Sequence, residues 1–343
     1  MMINFLKNKI RNFIYNSRSN IKTGISFKSL IDRNDLTYYL KSFGKLNKKK
    51  IFYVIQRYKG GGIFSNLNYV IHHLKIANDL GCIPIIDMKN FPTKYNEINK
   101  IKNTFNSWEY FFYPINRWKL EDIYKSKFVI IADGKTKKKK EFDSFKNLSK
   151  AHYDIYKNHI KIKKFILNLV KKFEEKNFYG NKVLGVHFRG TDMKTQERHP
   201  FPATLEQIIT AVKYQVKKYN YNKIFLVTEE NEYLFKLNRI FRDKICFTNS
   251  FRTSKHNIFE QEYRKNHRFN LGVEHVVDML LLAKTSSVIC TNSHLSDACK
   301  FINNDKKFKL IQIDNGNNSS NILVAQFLWY LKKNLPSSFG GFK

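Results

Sequence analysis

The sequence predicts an α/β protein built on parallel, doubly wound sheets. Three features predict it. Short apolar runs of strand length alternate with longer segments whose apolar residues recur at helical spacing. A glycine break, Lys59-Gly60-Gly61-Gly62, separates one such run from one such segment. Polar and charged residues gather directly after several of the runs, which is where open α/β sheets bind their ligands.

In chain order, residues 1–50 read as a basic, irregular segment, with twelve Lys and Arg against two acidic residues. Within it, Phe5, Ile10, Phe13 and Ile14 alternate with Lys7, Lys9 and Arg11. That pattern fits an amphipathic helix on an anionic membrane as well as it fits an ordinary surface helix. The first strand covers 51–55. After the glycine break, Leu67, Val70, Ile71, Leu74 and Ala77 mark a helix over 66–80, which Gly81 ends. A strand over 83–87 completes a strand–loop–helix–strand unit. An aromatic segment, 108–118, precedes a strand over 128–131 and an exposed lysine-rich loop over 134–146. One long helical pattern runs from 155 to 178, and the junction between two domains, 51–175 and 176–343, falls there.

The second half repeats the alternation more clearly. Strands are expected at 183–187, 223–227, 245–247, 287–290 and 308–313. Helices are expected at 205–219, 233–240, 271–283, 294–301 and 322–331. This is the rhythm of a doubly wound sheet.

At 343 residues and 42% hydrophobic, the chain has ample material for two cored domains and lacks the signature of disorder. Its net charge is +34, from 62 Lys and Arg against 28 Asp and Glu. Such a charge draws polyanions, including nucleic acid. No nucleic-acid motif accompanies it. The abundance of Lys, Asn, Ile, Phe and Tyr is what AT-rich coding gives, and compositional bias is the preferred reading over a basic nucleic-acid-binding protein. Cys82, Cys246, Cys290 and Cys299 form no Cys-x-x-Cys pair and no zinc spacing, so buried free thiols in a reducing compartment are expected. No apolar stretch is long enough to span a bilayer, and the N-terminus is not a secretory signal.

Three strand ends carry chemistry. The strand at 183–187 runs into His187-Phe188-Arg189-Gly190-Thr191-Asp192, the next into Thr228-Glu229-Glu230, and the strand at 287–290 into Thr291-Asn292-Ser293-His294. Arg189 can hold a diphosphate bidentately, and Ser293 with the amides opening the following helix makes an anion site. His187 is either a diphosphate contact or a strand-end histidine with a backbone partner. Glu229 or Glu230 can accept from a base or ribose. Asp278, on an otherwise apolar helix face, can orient a cation, bind a donor hydroxyl, or be a core aspartate. Without an Asp-x-Asp to hold a divalent metal, arginine and helix N-termini would supply the positive charge.

These residues also carry a resemblance. His187-Phe188-Arg189-Gly190-Thr191-Asp192 resembles the His-x-Arg-Arg-Thr-Asp motif of α1,6-fucosyltransferases and rhizobial nodulation fucosyltransferases. Glu197 and His199-Pro200 follow as in that family. Thr228-Glu229-Glu230 resembles its Thr-Asp-Asp, Asp278 its Leu-Asp helix, and Cys290 to His294 its Cys-Thr-x-Ser-Ser turn. In the first domain, Gly62-Ile63-Phe64-Ser65-Asn66-Leu67 resembles the Gly-x-Phe-Gly-Asn-Gln loop of protein O-fucosyltransferases and the Gly-Leu-Gly-Asn-Gln loop of bacterial α1,2-fucosyltransferases. Read alone, the same stretch is a strand-to-helix turn with Ser65 as N-cap. The sequence departs from these patterns at Gly190, Met193, Leu67 and His294.

The resemblance implies a GT-B architecture, two facing Rossmann-like domains with the site between them, and inverting, metal-independent transfer. It implies a GDP-fucose donor, with another GDP- or UDP-sugar as the alternative. No metal or other cofactor is expected. The donor-binding set is His187, Arg189, Asp192, Glu229, Asp278, Ser293 and His294. Gly61, Gly62 and Asn66 form the first-domain loop, and Arg189 and Glu197 carry the chemistry, Glu197 as general base with Asp192 and His199 as competitors. The expected acceptor is a glycan or lipid-linked oligosaccharide of bacterial surface polysaccharide synthesis. The expected location is cytoplasmic, with peripheral association to the inner face of the membrane.

Overall fold

The computed structural model describes residues 38–132, 145, 148–253, 258–259 and 263–343. The expected basic helix near the N-terminus and, except for Phe145, the lysine-rich loop lie outside these residues.

The first unit is a four-stranded sheet in the order β1-β4-β2-β3. Its strands are β1 (Tyr38–Lys41), β2 (Leu46–Ile55), β3 (Ile83–Ile86) and β4 (Ser126–Ala132). β2 lies parallel to β3 and β4, and β1 closes the edge antiparallel to β4. Helix α1 (Ile63–Asp79) crosses from β2 to β3, and Gly81, at φ +62°, makes the left-handed exit that a Cβ would strain. Short helices α2 (Trp108–Phe111) and α3 (Leu120–Ile123) lie between β3 and β4, and α4 (Lys150–His159) and α5 (Lys164–Asn177) follow.

The second unit is a five-stranded, fully parallel sheet in the order β7-β6-β5-β8-β9. In chain order it runs β5 (Val183–Phe188), α6 (Leu205–Tyr219), β6 (Lys223–Thr228), α7 (Asn231–Phe241), β7 (Ile245–Cys246), α8 (His267–Ala283), β8 (Ser287–Cys290), α9 (His294–Asn303), β9 (Lys309–Gln312) and α10 (Ile322–Lys332). The chain builds outward from β5 to β7, then returns to β5's other side to lay down β8 and β9. The strand order therefore reverses between β5 and β8, and a crevice opens at that switch point.

Three expectations need correction. Residues 38–50 are not irregular: β1 lies there, and β2 starts at Leu46, five residues before its apolar run. The outer half of β2 is solvent-exposed, so its lysines hide the strand, and a register shift between Leu46 and Ile51 bends it. The single helix over 155–178 is two helices, broken where Ile162 bridges Phe112. The alternation Ile160-Lys161-Ile162-Lys163 is a strand period that the longer helical pattern masked. Finally, α1 begins at Ile63 with Gly62 as N-cap, so Ser65 lies inside its first turn rather than capping it.

The two sheets share one apolar core. It runs from Tyr53 and Ile55 of β2 through Phe111 and α8 to Phe225 and Val288 of the second sheet. The units press together at Gly272 of α8, where a Cβ would lie 2.1 Å from the Phe111 ring. Next to it, the first unit's Glu97 Oε1 accepts from the Phe269 amide at 2.7 Å, and the Lys94 carbonyl accepts from Arg268 Nη1 at 2.8 Å. Glu97 thus satisfies an open amide in α8's first turn from across the seam, with a negative charge where the helix dipole favours one. All four cysteines are buried and free, and burial pushes the Cys82 thiol up to about 12. No helix among the described residues is long and apolar enough to cross a membrane.

Candidate active site at the seam of the two sheets

β5 delivers His187 and Arg189 to the switch point. His187 is buried, and burial, with Arg189 and His275 nearby, drives its pKa down to about 3. At neutral pH its ring is therefore uncharged and acts as a hydrogen-bonding group. Arg189 lies 3.9 Å from Asp192 through Nη2, too far for a hydrogen bond.

The turn after Arg189 is fixed by acids from β6. Thr191 has φ +46°, a strained conformation for a β-branched residue. Its amide donates to Glu230, and its hydroxyl reaches Glu229 Oε2 at 3.1 Å and Asp192 Oδ1 at 3.2 Å. Buried Glu230 also accepts from Lys194 Nζ at 2.7 Å. A Cβ at Gly190 would lie 1.9 Å from Glu230 Oε1, so a larger residue here would displace the Glu230 carboxylate from the turn. The departure from the motif's second arginine thus has a packing reason.

Across the seam, β2 delivers Arg57. Its Nη2 is 3.5 Å from Ser65 Oγ and its guanidinium is 4.4 Å from the Tyr69 ring, while burial lowers its pKa. Asn66 Oδ1 accepts from the Gly61 amide at 3.0 Å, which folds the glycine loop back onto α1. Gly62 has open space where a Cβ would stand. The 17-residue α1 carries no acid in its first turn, so its positive end is uncompensated beside Arg57.

Tyr95 joins the two sides. Its hydroxyl accepts from the Ile63 amide at 3.1 Å and lies 3.4 Å from His275 Nδ1 on α8. Glu229 and Arg189 both act on its hydroxyl electrostatically, and both also act on His275. The structure therefore gathers His187, Arg189, Asp192 and Glu229 with Tyr95 and His275, beside the Arg57–glycine-loop arm. Arg57 Nε, His187 Nδ1 and Arg189 Nε are buried without a hydrogen-bond partner among the described residues. Buried donors of this kind are ordinarily satisfied, and an anionic ligand would satisfy them.

The remaining predicted residues stand as follows. Asp278 is buried and accepts from Thr248 Oγ1 at 2.5 Å and Ser250 Oγ at 3.0 Å, so it holds the loop after β7. Burial raises its carboxyl to about 6. Ser293 caps α9 through a reciprocal pair with Ser296, and the His294 ring lies edge-on to Phe145 at 6.5 Å. Glu197 is half-buried, and its carboxylate has no hydrogen bond or ion pair among the described residues. Its loop is pinned by the Arg198 amide on the Ser319 carbonyl at 3.0 Å. Among the described residues, no three His, Cys, Asp or Glu side chains gather as a metal site requires.

Sequence reasoning missed Arg57 and His275 and the place of Tyr95 between them. Arg57 had a usable signal, a cation two residues past the strand's last apolar position and before a glycine loop. His275 had a weaker one, three residues before Asp278 on the same apolar helix.

No protein-family model matches the sequence, and no curated protein matches it significantly. Among solved structures, the NodZ α-1,6-fucosyltransferase co-crystallised with GDP superposes with a TM-score of 0.50 at 17% identity, covering 74% of this chain and 92% of that one. The chain has the GT-B fold. The fucosyltransferase NodZ from Bradyrhizobium aligns at TM-score 0.49 and 17% identity, over 74% of this chain and 93% of that one. POFUT1 in complex with GDP aligns at TM-score 0.44 and 10% identity, over 78% and 100%. In the GT-B frame, the β5–β8 switch point faces the glycine loop of the first sheet.

Proposed function

We propose that the chain is an inverting glycosyltransferase that moves fucose from GDP-fucose to a glycan acceptor. The observation that carries this is the set of unpartnered buried nitrogens, Arg57 Nε, His187 Nδ1 and Arg189 Nε, at the seam of a GT-B fold. The fold, shared with a GDP-bound fucosyltransferase, and the motif resemblance support the same reading.

In this reading the acceptor oxygen attacks the anomeric carbon from the face opposite the diphosphate, and the bond to the leaving phosphate oxygen breaks. Arg189 and the α1 N-terminus offset the charge that develops on the diphosphate, and neutral His187 donates to it. The acceptor proton passes to Glu197. The other carboxylates of the region are engaged: Glu229, Glu230 and Asp192 hold Thr191, and Asp278 holds Thr248 and Ser250. Glu197 is free of such duty among the described residues. No metal is needed in this scheme, so turnover is expected to be unchanged in EDTA.

The second unit binds the nucleotide sugar and the first presents the acceptor. A cavity of about 590 Å³ in the first unit, lined by Trp108, Trp118, Asn106 and Arg117 among others, shares no lining residue with the seam. The four buried thiols suit a cytoplasmic setting, at the inner membrane face, in surface-polysaccharide or lipid-linked oligosaccharide synthesis. Gly190, pressed against Glu230 in place of the motif's second arginine, keeps a second reading open, a different GDP- or UDP-sugar. Thermal-shift titration separates them. Stabilisation by GDP, and by GDP-fucose above other GDP-sugars, but not by UDP supports the first reading, stabilisation by UDP or more by another GDP-sugar the second, and no shift with any nucleotide overturns both.

A further inference from the structure

Helix α10 turns an apolar face outward. Leu323, Phe327 and Leu331 follow one another at four-residue spacing and are 68%, 70% and 60% exposed. Val324 and Tyr330 flank them at 47% and 45%. At 100° per residue these five side chains form one stripe about 120° wide. The opposite face is used for packing: Ala325 and Trp329 are buried, and Trp329 Nε1 donates to the Pro202 carbonyl at 3.0 Å. A contiguous exposed stripe of this size on a strongly basic chain calls for an occupant.

Charge selects among occupants. Residues 315–343 contain three lysines and no Asp or Glu, and the whole chain carries +34. A second copy would bring the same excess positive charge to the stripe. An anionic phospholipid surface brings the opposite sign together with an apolar interior. The 11-residue helix is too short to span a bilayer, and aliphatic and aromatic residues beside Lys332 and Lys333 suit one lying in the headgroup plane. We propose that α10 docks the protein on anionic phospholipid, with the Leu323–Phe327–Leu331 stripe inserted shallowly into one leaflet.

The docking surface is tied to the active-site loop. Asn318 Nδ2 donates to the Ala325 carbonyl at 3.0 Å and the Gln196 carbonyl at 3.3 Å, and Lys194 Nζ lies 5.2 Å from the Trp329 ring centre. A membrane holding α10 therefore also fixes the orientation of residues 194–202, from which Glu197 projects. The surface itself does not depend on the reaction proposed above, since vesicle binding is read without nucleotide or acceptor.

The test is co-sedimentation of the full chain with vesicles of phosphatidylcholine alone and of phosphatidylcholine mixed with phosphatidylglycerol. The native chain is expected to pellet with the mixed vesicles and not with the neutral ones. Leu323→Ser/Phe327→Ser/Leu331→Ser, which changes exposed positions only, is expected to bind the mixed vesicles about a hundredfold more weakly. Because all native thiols are buried, Phe327→Cys can be labelled selectively with an environment-sensitive fluorophore, whose emission should shift to the blue on the mixed vesicles. Equal binding by native chain and triple variant, no binding by either, or equal binding to neutral and mixed vesicles overturns the proposal. So does a native dimer, seen by light scattering, that the triple variant dissociates, for then the stripe belongs to a second copy.

Discussion

Two arginines stand just past central parallel strands, one in each sheet, and their surroundings differ. Arg189, after β5, has carboxylates around it: Asp192 at 3.9 Å, with Glu229 and Glu230 holding Thr191 two residues on. Arg57, after β2, rests on the face of Tyr69 and the hydroxyl of Ser65. Both keep a buried Nε without a partner among the described residues. The acids beside Arg189 shape a turn as well as balance charge, so that arm is held in one conformation. The Arg57 arm has a cation over a π-face and an uncompensated helix end, so its positive potential is left for whatever enters the seam. In the proposed function, one fold thus reaches two anion-facing arms by different means.

The largest expected effect tests whether the chemistry belongs to the second arm at all. Glu197→Gln should lower turnover by about 10²–10⁴-fold while leaving GDP affinity unchanged. Steady-state rates with calorimetry decide it. A wild-type rate, with Asp192→Asn or His199→Ala inactive, moves the base to one of those residues.

Next come the arginines themselves. Arg189→Ala should weaken GDP binding by about 2–5 kcal/mol, the cost of removing one partner of a desolvated charge pair. Arg57→Ala should cost less, about 1.5–3 kcal/mol, as for one hydrogen bond to a charged group. If calorimetry shows Arg57→Ala binding GDP like the native chain, the first arm is structural and the comparison fails.

The glycines extend the contrast to stability. Gly190→Ala forces a Cβ against Glu230 and should destabilise the fold by about 1–3 kcal/mol in denaturant titration. Gly62→Ala meets open space and should stay within about 0.5 kcal/mol of native. Equal losses would mean that the two turns are under the same constraint.

The last contrast is in pH. His72 and His73 of α1 and His187 of β5 are held near 3 by burial, below their ordinary 6.5. Their contribution to stability is complete above pH 6.5 and is lost as pH falls toward 3. Asp278, raised to about 6 from 3.8, runs the other way: its burial costs nothing below 3.8, and the cost is complete above 6. The protein should therefore lose stability on acidification, less steeply than its histidines alone would dictate. Asp278→Asn should steepen the loss between pH 6 and 4, by no more than about 1.4 kcal/mol per pH unit. An unchanged slope in denaturation across that range would place Asp278 in a more solvated setting.

The second sheet was legible in the sequence because its central strands β5, β6 and β8 are buried on both faces and read as apolar runs, as at Ile224 to Val227. Its strand-end residues then follow from position alone. The first unit was harder. β1 is an antiparallel edge strand and the outer half of β2 is exposed, so neither carries an apolar run, and Ile160 and Ile162 are two strand-like positions between helices. In the site, Arg189 and Glu229 were found because they adjoin strands. Tyr95 and His275 meet across 180 residues of sequence, a juxtaposition made by tertiary packing that no local pattern encodes. The partnership of Glu230 with the Gly190–Thr191 turn was hidden for the same reason, although it explains why glycine occupies position 190.

The contact of Gly272 with Phe111 bears on how the protein would turn over. Two lobes joined by a flexible linker can exchange a bound molecule by swinging apart. Here a ring fills the space that any side chain at 272 would need, and Glu97 completes the first turn of a helix in the other lobe. Swinging would strip water-excluding contacts and expose an amide at once, a cost that a ligand binding in the seam has no means to recover. Entry and departure should therefore run through rearrangement of loops at the rim, with the lobes keeping their separation. The radius of gyration measured by small-angle scattering should be the same with and without GDP, and the slow step of the cycle should respond to substitutions in the 190–202 loop more than to solvent viscosity.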